Sequence, residues 1–226
     1  MRLPKVAWLA LPLIAAIVAP FLLNTDYYLG LLITTVIFAI AALSLDVVIG
    51  HMGQFSFGHA AFWGIGAYAS AKLTINVEAP VWISLLLAAV ATGLVGLLVG
   101  LIVMRRNRAL ELAMVTLGFG VLLATIADRW REFFGGDLGV LGLPALSVPG
   151  FEADTLFKQY FFVLAVLIVV LYGMWRVTHS RFGRAVHSLR EAEFLGASVG
   201  VRVLRHHALA FAGASALGGL AGALYA

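Results

Sequence analysis

Apolar runs close to the length of a bilayer-crossing helix follow one another along most of this chain. They lie at residues 6–23, 28–50, 57–75, 80–104, 109–127, 157–175 and 206–226. A helix rises 1.5 Å per residue, so roughly 20 apolar residues cover the hydrocarbon core of a bilayer. Backbone polar groups must be satisfied within the segment there, which leaves an all-α, polytopic transmembrane helical bundle of about seven spans. Charge is sparse enough to agree: 12% of residues are charged and 62% hydrophobic, against about 25% charged in soluble domains. The first run sits behind Arg2 and Lys5 like a signal peptide, but it is long and no Ala-x-Ala-like site follows it. It reads as an uncleaved span, kinked at Pro12 and Pro20.

Between the second and third runs the pattern is interrupted near residues 50–56. The stretch 50–71 holds Gln54, Ser56, His51 and His59 among closely spaced glycines and alanines. Polar atoms and irregular backbone at membrane depth persist only where protein or a wet cavity surrounds them. Transporters use broken helices of this kind to present backbone groups to a solute. The expectation is therefore a translocation path at the break and the helix after it. Ser56, three residues before His59, is expected to cap that helix. Small residues four apart (Ala60 and Gly64, Ala67 and Ala71, Gly66 and Ser70) are read first as packing surfaces.

The basic residues divide unevenly. With four crossings before Arg105, eleven Lys and Arg fall on the N-terminal side of the membrane, and only Lys72, Arg129, Arg131 and Lys158 fall opposite. By the positive-inside rule the N-terminus is cytoplasmic. The absence of cysteine excludes disulfides and thiolate metal sites. His51 and His59, eight apart with no carboxylate or thiolate partner between them, make a poor metal pair. No His-Glu-x-x-His and no phosphate-binding Gly-x-x-x-x-Gly-Lys-Ser/Thr is present. The chain is thus expected to be no enzyme, to hold no cofactor or metal, and to leave any ATP hydrolysis to another subunit.

A second informative stretch runs from 180 to 201. Phe182, Val186, Leu189, Phe194 and Val199 recur at helical spacing between charges. Two readings stand: an amphipathic helix lying on anionic lipid through Arg181, Arg184 and Arg190, or a docking helix for a cytoplasmic partner. Glu191 and Glu193 weaken the first, and Gly196 and Gly200 suggest a turn shaped to fit something.

Five motifs in order resemble one family. They are Gly50-His51-Met52-Gly53-Gln54-Phe55-Ser56-Phe57-Gly58-His59 and its continuation to Tyr68; Val115-Thr116-Leu117-Gly118-Phe119-Gly120; Gly135-Gly136 with Gly139; Ser180-Arg181-Phe182-Gly183-Arg184-Ala185 with Arg190-Glu191; and the Ala/Gly-rich end from Leu209 to Ala226. The chain is similar, over about residues 30–226, to the M-type permease subunit of branched-chain amino-acid ABC importers. The permease of urea importers is the nearest rival within that family. The resemblance implies a subunit of the bacterial inner membrane working with a homologous second permease subunit, two ATP-binding subunits, a periplasmic solute-binding protein and membrane lipid, and no nucleic acid. It implies a single permease domain over 1–226 with a coupling loop at 179–201.

In this resemblance the solute path takes in Asp46, Gln54, Ser56, His59, Trp63 and Thr116. Coupling to the ATPase takes in Arg184, Arg190, Glu191, Glu193, Gly196 and Gly200. Leucine, isoleucine and valine are zwitterions with apolar side chains, so a path needs dipoles and an apolar wall rather than a fixed charge. Helix N-termini favour the carboxylate. Asp46 stands where the family commonly has asparagine, Phe134 where threonine is usual, and Glu193 where a second alanine often occurs. The chain also stops within an apolar run where family members continue, which reads as a fragment. A channel or secondary transporter without an ATPase is the alternative from outside the family; the 180–201 stretch would then need no motor to dock on it.

Overall fold

The computed structural model describes residues 7–23, 25–77, 79–106, 109–136, 139–140, 147–148, 151–152, 155–192, 196, 198 and 202–226. Nine helices are described: α1 (Ala7–Leu22), α2 (Asp26–Asp46), α3 (His59–Asn76), α4 (Val81–Val103), α5 (Ala109–Arg129), the single turn α6 (Arg131–Phe134), α7 (Leu156–Thr178), α8 (Arg181–Glu191) and α9 (Val203–Tyr225). A π turn, Val47–His51, continues α2. One small antiparallel pair joins β1 (Ser147–Val148) to β2 (Phe151–Glu152).

Local chemistry sets the ends of these elements. Asp26 places a negative charge in the first turn of α2, at the positive end of the helix dipole. Pro80 precedes α4, where its missing amide is not needed. Thr155 and Ser180 accept from the amides of Lys158 and Gly183, capping α7 and α8. Gly135, at φ +82°, closes α6 in the left-handed conformation.

Among the described residues, five helices are long and apolar enough to cross a membrane: Asp26–His51, Val81–Val103, Glu111–Arg129, Leu156–Thr178 and Val203–Tyr225. The expected seven are not reached. α1 has 16 residues, and the 18 of α3 include His59, Lys72 and Asn76.

The centre of the bundle is its last helix. α9 packs against α2, α3 and α4, and its core residues are mostly small: Ala208, Ala210, Ala214, Ser215, Gly218, Gly219, Ala221 and Gly222. Small residues let helix backbones approach where lipid offers no hydrophobic gain for helix association. A Cβ at Gly66 of α3 would run into the backbone of Gly219, one at Gly222 into the carbonyl of Trp63, and one at Gly96 of α4 into Ser215. Two buried hydroxyls in this seam return to their own helices. Thr92 donates to the carbonyl of Ala88 at 2.7 Å and Ser215 to that of Phe211 at 2.8 Å.

Around this seam the larger side chains form two clusters. One gathers Ile37 and Ile40 of α2 with Tyr160, Val163 and Leu164 of α7, and the Tyr160 hydroxyl donates to the carbonyl of Ala16, tying α1 to α7 at 2.6 Å. The other surrounds Phe62 and Phe211, whose rings meet edge to face at 5.6 Å, with Val48, Met52, Leu112 and Val186. That second cluster lies under the break.

Candidate functional site

The break begins where the hydrogen-bond ladder of α2 slips. In an unbroken helix the amide of Gln54 would donate to the carbonyl of Gly50. Here Met52 N–H reaches back to Val47 at 3.1 Å and Gln54 N–H to Val48 at 3.0 Å. The wider π turn that results leaves the carbonyl of Gly50 unused by the helix, and such turns concentrate at functional sites. Glycine suits both positions. A Cβ at Gly50 would strike the Asp46 carboxylate, and Gly53 adopts φ +68°.

The freed carbonyl is taken by a distant side chain. Arg190, near the end of α8, donates from Nη1 to the carbonyl of Gly50, and its stem passes under Gly53, where a Cβ would lie 2.9 Å from Arg190 Cγ. A residue expected in the coupling set therefore bonds directly to the backbone of the expected path. The far side of the break is fixed to α5. Phe57 N–H donates to Thr116 Oγ1 at 3.1 Å, Thr116 in turn donates to Leu112 at 2.8 Å, and Gly58 presses on the Thr116 carbonyl.

Of the expected path residues, Thr116 is fully buried in this lock, and Gln54 is half-buried within the loop. Ser56 is buried and its hydroxyl has no partner among the described residues. The expected cap by Ser56 is not formed: Gly58 is the N-cap of α3 and no side chain caps it. The loop is pressed onto α5 through Phe57 and Gly58, and this leaves Ser56 away from the helix start.

His59 points its Nε2 at the fully buried hydroxyl of Ser44 at 2.5 Å, while Ser44 also lies 3.0 Å from the carbonyl of Ala41. A consistent assignment has Ser44 donating to Ala41 and accepting from Nε2–H, which leaves Nδ1 as a buried acceptor with no partner among the described residues. Trp63 lies one turn beyond His59 on α3. Its ring packs 5.0 Å from Phe38 of α2 and 5.6 Å from Tyr225 of α9. Asp46 is half-exposed, 3.4 Å from His51 Nδ1.

α8 follows α7 through a tight turn in which Gly183 packs on the carbonyls of Val177 and Thr178. Arg184 donates to the carbonyl of His179 at 2.7 Å, so it closes the end of α7 while its side chain remains exposed. Val186 and Leu189 anchor the inner face of α8 and Glu191 stays outside. Gly196 is buried against Leu189, whose Cδ2 would lie 2.8 Å from a Cβ. Glu193 and Gly200 lie outside the described residues. Phe134, the departure from threonine, packs edge-on to Tyr68 of α3 at 4.7 Å and offers that helix no polar group.

A family model described as branched-chain amino acid transport system / permease component matches residues 27–226. The chain belongs to that family. Two curated relatives carry the name high-affinity branched-chain amino acid transport system permease protein LivM, one from Salmonella typhimurium and one from Escherichia coli. Each is 29% identical over 95% of this chain and 55% of its own length. The chain thus spans about half the length of the permeases it matches. No solved structure matches it. Within a permease-family subunit, sequence reasoning missed Ser44, and it missed that Arg190 and Gly50 are partners. A buried serine one residue before the Leu45-Asp46 end of α2 was the available signal for the first; nothing local signals the second.

Proposed function

We propose that this chain is the membrane-spanning permease subunit of an ATP-driven importer for branched-chain amino acids (leucine, isoleucine and valine) or related small amino acids. It works with a homologous second permease subunit, two ATP-binding subunits and a periplasmic solute-binding protein. In this reading residues 1–226 form one permease domain in the bacterial inner membrane, with the N-terminus cytoplasmic. α1 and α3 cross as well, which gives seven spans; the 18 residues of α3 rise about 27 Å. The surplus of Lys and Arg on one side supports that orientation.

One observation carries the reading: the hydrogen bond from Arg190 to Gly50. It joins α8, the helix of the coupling loop at 179–201, to the irregular backbone that separates α2 from α3. The exposed outer residues Arg184 and Glu191, with Glu193 and Gly200 beyond, meet the ATP-binding subunit, and Gly196 lets the loop fold onto Leu189. Displacement of α8 then pulls on the π turn, while Thr116 holds the other end of the break to α5. The loop opens or closes between these two anchors, turning about Gly53. The solute carboxylate is met by backbone amides with Gln54 and Ser56, and Ser44 holds the ring of His59. Trp63 contributes apolar wall and Asp46 charge near the mouth.

Arg190→Ala, assayed as leucine uptake by cells carrying the partner subunits, is expected to lower uptake roughly tenfold or more, the worth of a charged hydrogen bond. ATPase association should persist, but hydrolysis should lose its dependence on solute-loaded binding protein. Arg190→Lys restores charge without the planar fork and is expected to recover only part. Uptake that continues once ATPase association is abolished overturns the importer reading.

A further inference from the structure

A cleft of about 910 Å³ opens beside the break, walled by the π turn, the second half of α7, the first turn of α8 and the outer face of α9. This is at the upper end of the roughly 300–1,000 Å³ usual for ligand sites. Its lining is almost wholly apolar, with Met174, Val177, Phe182 and Leu217 prominent, and among the described residues it contains no carboxylate. One guanidinium lines it, that of Arg176 in the last turn of α7, and among the described residues Arg176 meets no carboxylate.

Two glycines widen the cleft. Some glycines of this bundle permit close contact, as at Gly66, Gly96 and Gly222, while others, such as Gly64 and Gly118, face open space. At Gly173 of α7 and Gly213 of α9, both in the lining, a Cβ would meet nothing within 4 Å. Neither is required by a neighbouring backbone, and each weakens its helix relative to alanine. What both do is leave open an apolar slot between two spans.

The height of this slot in the membrane can be read from its rim. Tyr172 and Trp175, both exposed, stack at 6.2 Å on the same turns of α7 that carry Gly173 and Arg176. Exposed Trp and Tyr with a basic residue mark the headgroup level of a bilayer. Ser180 to Gly183, the first turn of α8, adds the positive end of a helix to the same wall. An apolar slot ending at headgroup level on an unpaired cation and a helix N-terminus is complementary to a molecule with long alkyl chains and one phosphate.

We propose that this cleft binds one acidic glycerophospholipid, its phosphate at Arg176 and an acyl chain along Gly173 and Gly213. The inference needs only the membrane setting of the family, so it stands or falls separately from the solute and the ATPase. A lipid seated there touches the π turn through Val47 and His51 and α8 through Phe182 and Val186, the two elements that Arg190 joins.

The test is native mass spectrometry of the full chain released from detergent after exposure to phosphatidylglycerol or phosphatidylcholine of identical acyl chains. A single phosphatidylglycerol is expected to be retained about fivefold better than phosphatidylcholine, the contribution of one basic residue near a membrane surface. Arg176→Gln should erase that preference and Arg176→Lys should keep it. Gly213→Leu and Gly173→Leu, which fill open space, should reduce retention of both lipids while circular dichroism shows unchanged helix content. Equal retention of the two lipids by the unaltered chain, or undiminished retention by Gly213→Leu, overturns the proposal. Because the chain has no cysteine, Gly213→Cys also offers a unique cross-linking site. Efficient cross-linking of that position to another protein in native membranes overturns it too, by showing a polypeptide in the slot.

Discussion

α9 and α5 are both long, apolar helices, yet they stand in opposite relations to the bundle. In α9, 61% of the most apolar window is buried inside the protein; in α5 the share is 17%. α9 achieves this with alanine, glycine and serine, whereas α5 carries Met114, Val115, Leu117, Val121 and Leu122 outward. In water the larger apolar side chains would be the buried ones. In lipid they gain little by leaving the surface, and close backbone contact decides which helix lies inside. Smallness, then, marks the centre of this molecule better than hydrophobicity does.

The comparison breaks most visibly at the seam. Gly66→Leu drives a branched side chain into the backbone of Gly219, and neither helix can yield without moving α4. Loss of the folded, membrane-inserted chain is expected, read as its disappearance from mild-detergent extracts. Phe211→Ala on α9 empties a fully buried site beside Phe62. It is expected to cost about 3–5 kcal/mol in SDS-driven unfolding. Thr116→Val probes the buried patch that α5 forms with Leu112 and Ala113. It keeps the shape but leaves the Phe57 amide without its acceptor, for about 1–3 kcal/mol. Gly118→Leu, on the open face of α5 where a Cβ meets nothing within 4 Å, is expected to shift stability by no more than about 0.5 kcal/mol. If Gly118→Leu proves as damaging as Gly66→Leu, the contrast between the two helices is wrong.

Much of the fold was legible because length and apolarity suffice to outline a span. The run read at 28–50 is the helix Asp26–His51, that at 157–175 is α7, that at 206–226 is α9, and the amphipathic stretch from 180 yields α8. The interruption near 50–56 was legible for the same reason, since glycine and polar residues cannot continue an apolar helix at no cost. The choice of α9 as the hub was not. A helix apolar on every side has no amphipathic face to read, and the small residues of α3 show that something approaches without saying what.

The site was only half legible. Residue types marked the break and the coupling stretch separately, but the contact between Gly50 and Arg190 spans 140 positions, and no periodicity encodes it. Ser44 escaped notice because a serine within a membrane helix ordinarily bonds its own backbone; here it does so and also meets His59. Thr116, expected on the path from its residue type, also fastens the loop to α5, a contact 59 positions apart that its neighbours in sequence do not announce.

That the guanidinium of Arg190 occupies the place of a missing backbone amide has a consequence for movement. The Gln54 amide that a regular turn would send to the Gly50 oxygen is spent on Val48, and the oxygen faces α8 instead. In the proposed coupling, rewinding at the end of α2 would return that amide to Gly50 and loosen the hold on α8, a latch whose bolt is a single carbonyl.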